Sequence, residues 1–308
     1  MDNLSSISTN KKQFQTSEMK IPVILHTSEN LLPNEETLNQ LEYIAEDPRF
    51  FHHIAAMSDV HPKKGRKAPT GTVAVSEHYL FPQINDTAPN CGMRFLKTDM
   101  DENNTPMEKI DEIFKELVKV VPTKKLRGIP IPYQMAIDIA RDGIHPLTEY
   151  FQTRTKNEIE NSYEGGNFFR NKIPTVREIL DVIPKLFLKI SQQRLGILGA
   201  AGNHFLDLMK ITEIRNPEIA QKFGIRPGQY ILLMHTGSGL FGQYVSYMYT
   251  PKVKEHRSQK MMLGLGIFLF NSQLIKVYKN LYQKIKKHEK LKNFFGYEEG
   301  SLEGRMFI

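Results

Sequence analysis

The chain has 308 residues, 40% hydrophobic and 24% charged, with 41 Lys and Arg against 34 Asp and Glu, so it can bury a core and carries a net charge of +7 that permits a polyanionic partner. Its single cysteine excludes an intrachain disulfide framework and points to a reducing compartment, the cytoplasm. The longest apolar run, "MMLGLGIFLF" at 261–270, falls far short of the ~20 residues that span a bilayer, so no membrane partner is expected.

In chain order, residues 1–18 are rich in Ser, Asn, Lys and Gln and read as a flexible arm, without the apolar segment of a signal peptide. The length suggests one large domain or two ordinary ones. "IPVILH" (21–26) predicts a strand. "NEETLNQLEYIA" places Leu38, Leu41, Ile44 and Ala45 on one helical face. "HHIAAMSDVHP" predicts a buried strand running into a turn, and "GTVAV" (71–75) another strand. "TPMEKIDEIFKELVKVV" from Thr105 has a capping threonine, Pro106 at the first helical position and Glu108 to complete a capping box. Ile110, Ile113, Phe114, Leu117 and Val118 are its expected buried stripe. "YQMAIDIARDG" predicts a helix stopped by Gly143. "TVREILDV" and "KLFLKISQQR" are helical stretches separated by Pro184. "NPEIAQKFG" (216–224) has an Asn cap, a proline and a terminal glycine, and "QYILLMH" (229–235) predicts a buried strand ending on a histidine. Helices and strands mix without a regular βαβ alternation, so the expected fold class is α+β, with mixed sheets and surrounding helices. The final "EEGSLEGRMFI" reads as an amphipathic element cut short.

Three turn-like stretches hold the residues that carry chemistry. "NCGMRF" (90–95) contains Cys91, which no apolar run surrounds. "LGAAGNHFLDL" (198–208) delivers Asn203 and His204 from a small-residue loop, and "MHTGSGLFG" (234–242) ends a strand on His235 before three glycines. Glycines let backbone approach a phosphate closely. Thiolate and imidazole suit Mn²⁺, Fe²⁺, Co²⁺ or Zn²⁺. The separations, 113 residues from 91 to 204 and 31 from 204 to 235, match no zinc-finger spacing, so any shared site must be assembled by tertiary structure. Taken alone, these residues leave Cys91 open as packing, nucleophile or metal ligand, and leave each histidine open as a hydrogen-bonded turn residue.

The ordered set "MSDVH" (57–61), "NCGMRF", "LGAAGNHFLDL" and "MHTGSG" resembles the RtcB family of RNA ligases. The resemblance spans residues 57 to about 250 and implies the family's fold. It also implies an activity: joining RNA ends with a 3′-phosphate or 2′,3′-cyclic phosphate to 5′-hydroxyl ends, using GTP and Mn²⁺ through a guanylylated histidine. By this resemblance Cys91, His204 and His235 match metal ligands, and Asp59 matches an acidic residue near the metals. Asn203 matches a residue contacting the guanylate phosphate, and Asp207 stands where the family usually has a glutamate that reads guanine. The chain departs from the pattern at Ala88, where the family has Asp, and at Gly239, where it has Arg. No histidine here, His256 and His288 included, occupies the motif of the guanylylated one, so no catalytic nucleophile is assigned. Residues 19–308 are expected to be the N-terminal portion of such a catalytic domain.

"HPKKGRKAP" (61–69) sets Lys63, Lys64, Arg66 and Lys67 beside the "DVH" segment, as contacts for RNA phosphates or as a solvated loop. The lysine-rich stretch 273–295 reads as a solvated helix face. A non-catalytic, metal- or RNA-binding relative is the alternative function. Nothing in the sequence specifies an oligomeric state.

Overall fold

The computed structural model describes residues 3–63, 68–84, 91–121, 131–151, 159–168, 172–183, 185–192, 197–198, 204–250, 279, 282–283 and 294–308. These form an α+β protein of two compact units, one made of Met1–Pro89 with Gln243–Ile308 and the other of Asn90–Gly242. Sequence continuity did not reveal that the chain leaves the first unit and later returns to it.

The first unit is built on a five-stranded sheet in the order β1 (Leu4–Ser8), β2 (Lys11–Phe14), β3 (Val23–Leu25), β4 (Ile54–His61), β5 (Thr70–Val73). β3 and β4 run parallel, and the other neighbours are antiparallel. The expected N-terminal arm is therefore a hairpin. Lys12, Gln13 and Phe14 pair with Leu25, Ile24 and Val23, and Phe14 and Met19 enter the core. Its polar composition misleads because the hairpin is mostly solvent-facing and is held by main-chain pairing and these two side chains.

The parallel β3–β4 pair is bridged by α1 (Glu35–Ala45), which the sequence places correctly. Asn34 caps it by accepting from the Thr37 amide, and Glu35 and Glu36 sit in its first turn, where the helix dipole favours acids. Leu41, Ile44 and Ala45 pack fully buried against Val23, Leu25, Ile54 and Ala56, and Leu38 lies at the edge of that core. Phe294, from the returning segment, joins the same core beside Tyr43 and Phe50. Arg49 is stacked over Phe81, pairs with Asp47 and donates to the Phe294 carbonyl. β6 (Tyr79–Leu80) pairs with β10 (Tyr297–Glu298). The last element is α9 (Leu302–Phe307), capped by Ser301 through the Gly304 amide. Met306 is buried and the Phe307 ring lies against Tyr249 and Tyr297, so these apolar residues have partners.

The second unit has a three-stranded antiparallel sheet in the order β7 (Gly92–Asp101), β9 (Gln229–Thr236), β8 (Phe205–Lys210). Its helices are α2 (Met107–Val120), α3 (Tyr133–Asp142), α4 (His145–Phe151), α5 (Val176–Val182), α6 (Lys185–Ser191) and α7 (Pro217–Phe223). Ala136 and Ile137 of α3, Ile179 of α5 and Leu188 of α6 form a second core. Gly143 ends α3 at φ 67°, and α5 begins with a complete Thr175–Glu178 capping box. Asn216 and Gly224 bound α7 as the sequence requires. α8 (Leu240–Tyr249) follows β9.

α2 corrects the sequence reading in two ways. Thr105 does not cap it: the Thr105 hydroxyl donates to Asn104 within the preceding turn, and Pro106 flanks the helix with no side-chain cap. None of its residues is buried, so the expected apolar stripe exists but is not covered. The lysine-rich stretch at 273–295 lies outside the described residues, apart from 279, 282–283 and 294–295.

Candidate metal centre

The geometry of the second unit's sheet explains how residues so far apart meet. β9 is the central strand and runs antiparallel to both neighbours, so its C-terminal end meets the N-terminal ends of β7 and β8. In the register, His235 lies opposite Met93 on one side and Phe205 on the other. Cys91 is two residues before Met93, and His204 immediately precedes Phe205. Three separate turns thereby deliver a thiol and two imidazoles to one end of one sheet. Their candidate ligand atoms all lie within 4.8 Å of one another. The two imidazole centroids are 5.8 Å apart, and the Phe205 ring sits 5.3 Å from that of His235.

The far end of the sheet is fastened by polar contacts that fix the register. Arg226 pairs with Asp101 at 2.8 Å, Lys210 with Glu102 at 3.0 Å, and the Gln229 side chain donates to the Thr98 carbonyl at 2.7 Å. A one-residue slip would move His235 to the other face, so these contacts hold the site although they lie at the opposite end.

The electrostatics suit a cation. Among the described residues, both ring nitrogens of His204, and Nε2 of His235, are buried with no hydrogen-bond partner. Buried polar atoms without partners are costly, and a bound cation is one way to satisfy them. Burial, reinforced by the neighbouring His235, pushes the His204 pKa below its ordinary value. The ring is therefore held neutral, the state that donates a lone pair to a metal. Cys91 is exposed, which leaves the thiol accessible from solvent. A tetrahedral cation with the usual Zn–S and Zn–N bond lengths holds its donors about 3.5 Å apart. Donors within 4.8 Å are close enough to reach that spacing by small side-chain adjustments.

The other sequence-predicted residues fall in different places. Asp207 is exposed on β8, in register with Leu233 one pleat from His235, and so shares the sheet face of that ligand. Asp59 is exposed on β4 in the first unit and is not one of the three donors. Its carboxylate approaches Gly71, where a Cβ would meet Oδ1 at 2.8 Å. Lys63 follows β4, and its backbone exchanges two hydrogen bonds with the Gln40 side chain. Asn203, Lys64, Arg66, Lys67 and Ala88 lie outside the described residues. Gly239 adopts φ 49° just after β9, a left-handed backbone that an arginine would adopt only with strain.

Sequence reasoning missed β7 and β8 as strands, and with them the reason the three ligands meet. The alternation Met93, Phe95, Lys97 against Arg94, Leu96, Thr98 was a period-two signal, weakened by having exposed apolar residues on one face.

A mixed α+β scaffold that gathers one thiol and two imidazoles at a sheet end defines a candidate divalent-metal protein. The sequence profile of the family described as tRNA-splicing ligase RtcB matches residues 40–283, which contain all three donors, and the chain belongs to the RtcB family. It is 27% identical over 253 residues to a tRNA-splicing ligase RtcB of Thermococcus kodakarensis, covering 79% of this chain and 49% of that protein. Proteins of the same description from Nanoarchaeum equitans and Methanococcus maripaludis are 26% and 29% identical, each over 75% of this chain and 48% of theirs. The chain thus spans about half the length of the curated relatives it matches. No helix among the described residues is long and apolar enough to cross a membrane.

Proposed function

We propose that this chain is the metal-binding part of an RNA ligase of the RtcB type, joining 3′-phosphate or 2′,3′-cyclic phosphate ends to 5′-hydroxyl ends with GTP and Mn²⁺. The observation that carries the reading is the convergence of Cys91, His204 and His235, the three positions that match the family's metal ligands. These residues would hold the cation, which supplies positive charge to a nucleotide phosphate. The neutral His204 ring and the His235 ring would donate nitrogen lone pairs to it, and the Cys91 thiolate would be its soft ligand. Asp207, one pleat away on the same face, is suited to accept hydrogen bonds from a guanine edge. Lys63, Lys64, Arg66 and Lys67 supply charge for RNA phosphates. RNA ligation fits the cytoplasm, the reducing compartment that the single cysteine suggests.

The second reading is a metal- or RNA-binding relative without ligase activity. Its support is local: Ala88 and Gly239 replace an acid and an arginine of the family pattern. Titration of Mn²⁺ into the chain, followed calorimetrically, tests the site that both readings share. Cys91→Ala, His204→Ala and His235→Ala are each expected to weaken binding at least about tenfold. Unchanged affinity in all three removes the metal centre and the ligase reading with it.

A further inference from the structure

The apolar face of α2 is a feature that the metal centre does not use. Residues advance by about 100° along a helix, so Met107, Ile110, Phe114, Leu117, Val118 and Val120 share an arc of roughly 160°. In α1 a comparable stripe is sealed into a core. In α2 no residue is buried, and Phe114, Val118 and Val120 are 55%, 59% and 65% exposed. Among the described residues no other element packs extensively against it. A two-turn run of large apolar side chains left in water is a mark of an interaction surface.

The charges beside the stripe indicate what covers it. Lys109 and Glu116 are seven residues apart and therefore lie on the same flank. When two copies of a helix pack antiparallel, each flank meets the same flank of its partner. Lys109 of one copy then faces Glu116 of the other, and the reverse pair forms by symmetry. On the opposite flank Asp111 and Lys115 match in the same way. Both pairings place the two-fold near residue 113, close to the middle of α2, so nearly the whole helix overlaps its mate. Parallel packing would bring unlike flanks together and set Lys109 near Asp111 and Glu116 near Lys115, which are also opposite charges, so it is the mixture of charge-reversed variants that separates the two arrangements. A polyanion would meet as many acids as bases here, so RNA is not the expected occupant.

We infer that α2 is a self-association surface, at which two copies of this chain pack antiparallel through the Met107–Val120 helix in a symmetric dimer. At present Lys109 pairs with Glu112 and Lys119 with Glu116 along the helix, contacts between exposed groups that can be exchanged at little cost. A 14-residue helix is about 21 Å long, and one such pair buries less than the ~1,600 Å² of a standard interface, so the dimer is weak.

Sedimentation equilibrium of the 308-residue chain across micromolar to submillimolar concentrations reads the association directly. The expected result is a monomer–dimer equilibrium, abolished by Phe114→Glu. Lys109→Glu alone and Glu116→Lys alone should each weaken dimerisation about three- to tenfold, since each variant sets like charges together. An equimolar mixture of the two variants should recover it, because their heterodimer restores both opposite-charge pairs. Circular dichroism of each variant establishes that it is folded before it is compared. A wild-type monomer at every concentration overturns the inference and leaves the face to a different partner. Dimerisation indifferent to charge reversal, or no recovery in the mixture, overturns the antiparallel arrangement.

Discussion

At the scale of single residues, two ionisable groups of the second unit illustrate opposite uses of environment. Burial holds His204 neutral and ready to act as a ligand. Asp101 is kept ionised: the Arg226 guanidinium, followed by the Asn103 and Asn104 amides, holds its carboxyl below the usual carboxylate value. Because the folded value lies under the unfolded one, this contribution to stability is fully present above about pH 4 and is lost as pH falls through the folded value. Arg226→Ala should therefore raise the Asp101 pKa toward about 3.9, measured by NMR titration of its side-chain carboxyl. An unchanged value would mean that the turn amides alone set it.

At the scale of elements, α1 and α2 carry nearly the same kind of sequence and meet different fates. Both have apolar residues at helical spacing, and the sequence marks each helix within a residue or two. Whether the stripe is covered depends on what the rest of the chain brings to it, which periodicity does not encode. β3 and β4 lie under α1, whereas α2 has no comparable floor among the described residues. The difference is measurable. Leu41→Ala, at a fully buried position, should cost about 2–5 kcal/mol and lower the melting temperature by several degrees. Val118→Ala, on the exposed stripe, should change the stability of the monomer by no more than about 0.5 kcal/mol. Equal losses at the two sites would show that α2 is packed in solution.

At the scale of the whole molecule, two compact units divide the residues that the sequence had grouped. Cys91, His204, His235 and Asp207 belong to one, and Asp59 and Lys63 to the other. If RNA is the partner, its affinity should fall with salt, with a slope of about 0.7 per phosphate neutralised on a single strand. Replacing Lys63, Lys64, Arg66 and Lys67 by Gln should reduce that slope more than replacing Lys276, Lys279, Lys284, Lys286, Lys287, Lys290 and Lys292. Filter binding of a labelled single-stranded RNA over a salt series checks this, and a larger loss from the second set would assign the contact to the lysine-rich stretch.

Local signals in the sequence specified the α+β class, the positions of α1, α3, α7 and β9, and the Gly143, Asn216 and Gly224 helix ends, and they named Cys91, His204 and His235 as candidate donors. Those features are local: a capping side chain, a proline, a glycine with positive φ or a run of β-formers acts on its immediate neighbours. The family likeness is likewise legible in the chain, as a matter of ordered motifs. Tertiary structure alone decided that residues 4–14 pair into the first sheet, that the stripe of α2 stays uncovered, and that Cys91, His204 and His235 meet. That meeting depends on the register of β7 and β8 against β9. Register is set by main-chain hydrogen bonds between strands that lie 20–30 residues apart for β8 and β9 and more than 120 apart for β7 and β9, beyond the reach of a local sequence pattern.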